Sequence, residues 1–225
     1  MLATRPQTRF LLRGSLLLIL VLVLWWFLLL NPLLLLLRGT GEFFGSLVFG
    51  ADSRGLITET ASKDWSFRMP MDVVVANAAQ RSLPAQIHSL EFDILRSDLI
   101  AFTFSLPVFW AVFLAAPDIR RHWRGLALGS LLVILLETIL LLLFVETSAR
   151  NVAAELSQSQ SGAEKWLLHV IDYLAVNVIP YLGPFIIALA LHPALRVQVL
   201  AWSGAEPAKN AEASIISERK LKRAH

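Results

Sequence analysis

The chain has 225 residues, 56% of them hydrophobic and 16% charged, with a formal net charge of +3; a typical soluble domain is about a quarter charged. This composition excludes a large soluble domain and points to a membrane protein. Cysteine is absent, which excludes a disulfide, a thiolate nucleophile and a cysteine metal site.

The first apolar run is SLLLILVLVLWWFLLLNPLLLLL, Ser15–Leu37, longer than the ~20 residues that a bilayer-crossing helix needs. Arg5, Arg9 and Arg13 precede it, as basic residues precede a signal peptide. The run far exceeds the ~7–15 apolar residues of such a peptide, and Arg38 follows it rather than a small-residue cleavage site. It reads as an uncleaved anchor behind a short N-terminus, residues 1–14. Asn31-Pro32 is placed to kink its far end.

Residues 38–98 form the one sizeable portion outside the bilayer. Its start, GEFFGSLVFG, is apolar and punctuated by glycine, which suggests a short helix lying at the interface. GLITETAS, DWSFRMPM and SLEFDIL each alternate apolar and polar residues, the pattern of strands. In the last, Leu90, Phe92 and Ile94 share one face and Glu91 and Asp93 the other. The piece MDVVVANAAQRSLPAQ between them suits a short helix. The expectation is a small antiparallel sheet, too small to stand alone without disulfides, leaning on the membrane helices or on a partner.

A second span follows at 99–116, with Pro107 inside it, tolerable when neighbours satisfy the freed backbone carbonyl. The loop 117–125 carries Arg120, Arg121, Trp123 and Arg124. A third span covers 126–146, and a Ser/Gln-rich loop 147–165. The fourth span, 166–191, is expected to bend at Pro180 and Pro184. The tail 192–225 is polar from Gly204 and contains Lys220, Lys222 and Arg223. The fold class is thus an all-α membrane protein of four transmembrane helices, with a small extracytoplasmic antiparallel β module between helices 1 and 2.

Basic residues concentrate in the N-terminus, the loop 117–125 and the tail, while the opposite loops are acidic on balance. The positive-inside rule then places both termini in the cytoplasm. Arg120, Arg121, Trp123 and Arg124, wedged between two spans, read as an orientation signal with an interfacial tryptophan and not as a nucleic-acid patch. Lys220, Lys222 and Arg223 suit anionic lipid, at about 1 kcal/mol per basic residue near the surface.

Glu137 lies in the middle of the third apolar run. An ionised carboxylate there costs several kcal/mol, so the expected species is protonated and hydrogen-bonded. The fourth span places His169, Tyr173 and Asn177 four residues apart along one helical stripe, with Asp172 beside it. Antiparallel packing would bring Glu137 and Asn177 to similar depth. These polar groups suit contacts between helices, each worth ~0.6–2 kcal/mol. The competing reading is a membrane-embedded enzyme or proton-coupled carrier using Glu137, Asp172 and His169. Four spans without an internal repeat argue against a transporter. No metal-ligand spacing, Walker loop or nucleophile elbow is present, and nothing implies a cofactor.

Three stretches carry a family resemblance: RFLLR at 9–13, FTFSLPVFWAVFLAAPDIRRHWRGLALG at 102–129, and YLAVNVIPYLGPFIIALALH at 173–192. With the spacing of the four spans, they make the chain resemble the exosortase H-associated membrane proteins. The resemblance implies a non-enzymatic accessory role in protein sorting at the inner membrane of a bacterial envelope. Exosortases are multispanning enzymes that cleave C-terminal sorting tails with a cysteine, which this chain lacks. It implies as partners membrane lipid and a membrane protein, such as an exosortase or its tailed substrates. A scaffold for another envelope complex is the remaining alternative.

Overall fold

Inside lipid a chain must satisfy every backbone N–H and C=O itself, and uninterrupted apolar runs do so as helices. The computed structural model describes residues 6–50, 56–74, 86–116, 122–157 and 161–202. Among them, four helical segments are long and apolar enough to cross a membrane: Phe10–Phe49, Arg96–Ala115, Trp123–Ser157 and Gly162–Leu191.

Proline shapes three of the four. In the first, α1 (Pro6–Leu24) passes through a π-helical turn, Trp25–Leu29, into α2 (Leu30–Phe49). Within that turn the Leu30 N–H donates to the carbonyl of Trp25, five residues back instead of four. Pro32 has no N–H to offer, and its ring crowds the carbonyl four residues earlier. One extra residue in the turn relieves that crowding. The second segment divides into α3 (Arg96–Thr103) and α4 (Ser105–Ala115). They part at Phe104, so that Pro107 falls in the first turn of α4, where its missing N–H is tolerated. The fourth repeats the device of the first. A π-helical turn, Leu174–Val178, lies between α6 (Gly162–Tyr173) and α7 (Ile179–Leu191), and the Ile179 N–H donates to Leu174 just ahead of Pro180. Pro184 stays inside α7.

Two helices are longer than the spans read from hydropathy. The 40 residues Phe10–Phe49 and the 35 of α5 (Trp123–Ser157) correspond to ~60 and ~52 Å at ~1.5 Å per residue, against ~30 Å of hydrocarbon. GEFFGSLVFG is therefore not a separate interfacial helix but the last turns of α2. Its glycines are contact points: a Cβ on Gly41 would stand 3.2 Å from Ile57 Cδ1, and one on Gly45 2.6 Å from Leu56 Cδ2. Likewise the first half of the expected loop 147–165 is the end of α5. The new helix α6 opens at Ser161, whose hydroxyl accepts from the Glu164 N–H at 3.2 Å.

The expected sheet is present. It runs β1 (Ile57–Glu59), β2 (Trp65–Val74) and β3 (Gln86–Ile94), in that order and antiparallel throughout. Met71–Val74 prolong β2 and do not start a helix. The β-branched Val73 and Val74 pair with Ile87 and Gln86 across a bulge that follows Pro70. The rest of that expected helix, 75–85, lies outside the described residues.

The buried face of the sheet merges with the helices. Leu56, Ile57, Trp65, Phe67, Met69 and Ile94 share one cluster with Leu34 and Leu37 of α2, Leu99 and Phe102 of α3, and Leu140, Leu141, Val145 and Ala149 of α5. Polar ties reinforce it. Arg38 donates to the Ile57 carbonyl at 3.1 Å, the Arg96 backbone N–H to Asp64 at 2.8 Å, and the Arg96 side chain to Asn31 at 3.0 Å.

At the other end the helices meet without a sheet. Gly14 lies within 3.7 Å of Ala115 Cβ, measured from an ideal Cβ, and Gly125 lies on that basis within 3.4 Å of the Leu191 carbonyl. The tail opens on a further helix. His192, fully buried, caps a short α8 (Pro193–Trp202) by accepting the Leu195 N–H on Nδ1 at 3.2 Å.

Two measurements test this packing. A Cβ at Gly129 on α5 would run into the ring of Phe109, which is fully buried, whereas Gly39 has nothing within 4 Å. Gly129→Ala is expected to cost ~1–3 kcal/mol through overpacking, read as a lower unfolding temperature in detergent, while Gly39→Ala holds or raises it. Asp64 supplies a pH dependence. The Ser62 hydroxyl and then the Arg96 N–H hold its carboxyl below the ordinary 3.8. A carboxyl so lowered stabilises the fold above that ordinary value and loses the contribution as pH falls through its folded one. The protection factor of the Arg96 amide, its exchange corrected for the intrinsic pH dependence, should therefore be held at neutral pH and fall below pH 3.8, and Asp64→Asn should blunt that fall.

Candidate functional site

The break in the second helix leaves the first N–H groups of α4 without helical acceptors. Glu137 meets it from α5. Its side chain is only 2% exposed, and the Leu106 backbone amide is positioned as a donor to its carboxyl. The other oxygen, Oε1, has no hydrogen-bond partner among the described residues. One residue on, Thr138 Oγ1 lies 2.9 Å from Thr40 Oγ1 of α2. On the far side of the same break, the Trp25 ring meets that of Phe104 edge-on at 6.1 Å, with its own N–H unpartnered among the described residues. The middle of α5 thus joins the first two spans through short polar contacts. A carboxyl or amide does this well because it can accept a backbone N–H that no carbonyl in its own helix can reach.

The fourth span is arranged differently. Ala175 is fully buried, as is Ala188 further along, while His169, Tyr173 and Asn177 face outward. Asn177 does not meet Glu137: one is exposed and the other buried. Helical phase decides this, because Ala175 rather than Asn177 fills the space against α5. Tyr173 is 57% exposed and Trp166 68%. Neither Tyr173 nor Asn177 makes a side-chain hydrogen bond among the described residues. Asp172, half-buried, has one oxygen without a hydrogen-bond partner among the described residues. His169 also lines a crevice of about 540 Å³ with Asn151 and Glu155 of α5 and Lys165 of α6. An exposed row of ring, phenol and amide groups along an apolar helix is unsuited to lipid, where each polar group wants a partner.

The opposite end of the bundle holds a pair that sequence spacing hides. His122 and His192 lie 70 positions apart in the chain, yet their rings are 4.4 Å apart and Phe113 stands edge-on to His192. No group of three metal-ligating side chains occurs among the described residues. Trp123 is exposed, with the Arg124 guanidinium over its ring at 5.7 Å. Arg120, Arg121, Lys220, Lys222 and Arg223 lie outside the described residues. Pro107 and Pro180 accompany interrupted helical hydrogen bonding, and Pro184 lies inside α7.

The chain was compared with known proteins. No protein of curated function and no solved structure matches it. A family model, described as exosortase H-associated membrane protein, matches residues 4–195. That range takes in all four apolar helices, the sheet and the polar row of the fourth span. The chain is a member of the exosortase H-associated membrane protein family.

Proposed function

We propose that this protein is a non-catalytic accessory of exosortase H in the bacterial inner membrane, and that it docks on the enzyme through the outward face of its fourth helix. The observation that carries this reading is the exposed Tyr173 and Asn177, polar groups within an apolar helix that have no hydrogen-bond partners among the described residues. A neighbouring helix satisfies such groups where lipid cannot. The basic residues of the N-terminus, the loop 117–125 and the tail favour cytoplasmic termini, with the sheet then in the periplasm. Anionic lipid at the basic tail is a secondary contact in this reading.

Asn177→Leu combined with Tyr173→Phe removes the amide and the hydroxyl while keeping the span apolar. At ~0.6–2 kcal/mol per interhelical contact, the double variant, which loses two, should bind the exosortase roughly eightfold to several-hundredfold more weakly, measured by quantitative copurification from gently solubilised membranes. Undiminished recovery of the enzyme would refute docking through this face.

The alternative, a proton carrier or enzyme centred on Glu137, has the burial of that side chain in its favour. Glu137→Gln separates the two. A residue that joins helices keeps its acceptor as an amide, so stability and copurification should stay near wild type. A carrier loses its proton site and its activity. Glu137→Ala leaves the Leu106 amide without an acceptor and opens a cavity, and should cost ~1–3 kcal/mol in an unfolding measurement.

A further inference from the structure

A crevice of about 260 Å³ opens where α2, the β1–β2 turn and the start of α3 meet. Three cationic side chains line it, Arg38, Lys63 and Arg96, against one carboxylate, Glu59. Its apolar wall is Leu34, Leu35 and the buried Trp65. We propose that this crevice binds the phosphate of an anionic phospholipid on the sheet-bearing side of the membrane.

The cations are not equally engaged. Arg38 is held in place by Glu42 at 3.2 Å, the Ile57 carbonyl at 3.1 Å and Glu59 at 3.8 Å. It forms a fixed wall. Arg96 uses Nη2 on Asn31 at 3.0 Å, which orients the guanidinium and leaves its other N–H groups open to a ligand. Lys63 makes no ion pair or side-chain hydrogen bond among the described residues. It carries three donors on a flexible stem and reaches the same space.

The backbone at Lys63 points the same way. Its φ is +65°, the one positive value at a non-glycine among the described residues. The turn that demands it is closed by the Lys63 N–H to Thr60 and the Thr60 N–H to Asp64, both at 2.9 Å. Glycine fits such a position without strain and lysine does not. Strain of this kind is retained where the side chain has work beyond the turn.

Lipid fits better than a soluble anion because the crevice opens onto an apolar track. Leu35 lines it and is 74% exposed, and Leu28 and Leu24, exposed at 64% and 42%, continue along the same helix away from the sheet. A phosphodiester seated among the cations can lay an acyl chain on those leucines. An inorganic phosphate or an acidic peptide has no use for them. The site lies on the first helix and the sheet, so it stands whether or not the fourth helix docks an exosortase.

The test uses the purified full-length protein in a mild neutral detergent, titrated separately with phosphatidylglycerol, phosphatidylcholine and inorganic phosphate. Binding is read by native mass spectrometry and by the unfolding temperature. Phosphatidylglycerol should bind selectively and raise the unfolding temperature. Lys63→Gly and Lys63→Asn both suit a left-handed backbone and should fold as well as wild type. Each should weaken phosphatidylglycerol binding roughly fivefold, from ~1 kcal/mol per basic residue. Arg68→Gln removes an equally exposed charge from the sheet outside the crevice and should leave binding unchanged. Equal binding of the two lipids would overturn the proposal, as would unchanged binding in both well-folded Lys63 variants or an equal loss in Arg68→Gln. Stabilisation by inorganic phosphate as strong as by the lipid would overturn the lipid assignment and leave a simple anion site.

Discussion

A three-stranded sheet with one apolar face has no core of its own, and here it borrows one. Its buried side chains share a single cluster with α2, α3 and α5, and that sharing dictates the lengths of the helices. The first helical segment, Phe10–Phe49, and α5 both run well beyond what a bilayer needs because their extra turns are the surface on which the sheet lies. Gly41 and Gly45 make the contact close enough for Leu56 and Ile57 to seat against them. The polar ties of Arg38, Asp64 and Arg96 then fix the sheet's angle to the bundle. Without the overhanging helices the strands would expose their apolar side, and a sheet this small gains too little burial to order itself.

A second constraint acts within the spans. Backbone groups that proline frees in lipid must find other partners. The chain answers in two ways. In the first and fourth spans it inserts a π-helical turn, Trp25–Leu29 and Leu174–Val178, which shifts the hydrogen-bond ladder by one residue ahead of Pro32 and Pro180. In the second span it breaks the helix at Phe104 and brings Glu137 to the freed Leu106 amide. A carboxyl in an apolar run is costly alone and useful beside an interrupted helix.

The polar groups of the fourth helix are the counterexample. His169, Tyr173 and Asn177 turn away from the bundle, and among the described residues Tyr173 and Asn177 make no side-chain hydrogen bond. The chain belongs to the exosortase H-associated membrane protein family, and the proposed docking uses that outward face. The crevice around Lys63 is separate from it, built where the first helix leaves the sheet. One surface would thus meet protein and the other lipid, on opposite functions of the same scaffold: docking and positioning in the membrane.

The sequence by itself determined the class of protein, the four apolar helices, the strand pattern of the outer module and the family. These follow from run length, from alternation such as Leu90, Phe92 and Ile94, and from local motifs, all of which are short-range signals. It misjudged element ends. Gly41 and Gly45 looked like punctuation, and Asn151–Ser157 looked like loop, because their helical state is supported by packing against residues far along the chain. The capping pair Ser161 and Glu164 was a legible start signal for α6. Only the tertiary structure decided which polar residues face inward. Helical phase buried Glu137 and exposed Asn177, and it brought His122 beside His192 and Lys63 beside Arg96. A sequence states the spacing within one helix, but the rotation of that helix against its neighbours is set by how all the side chains pack together.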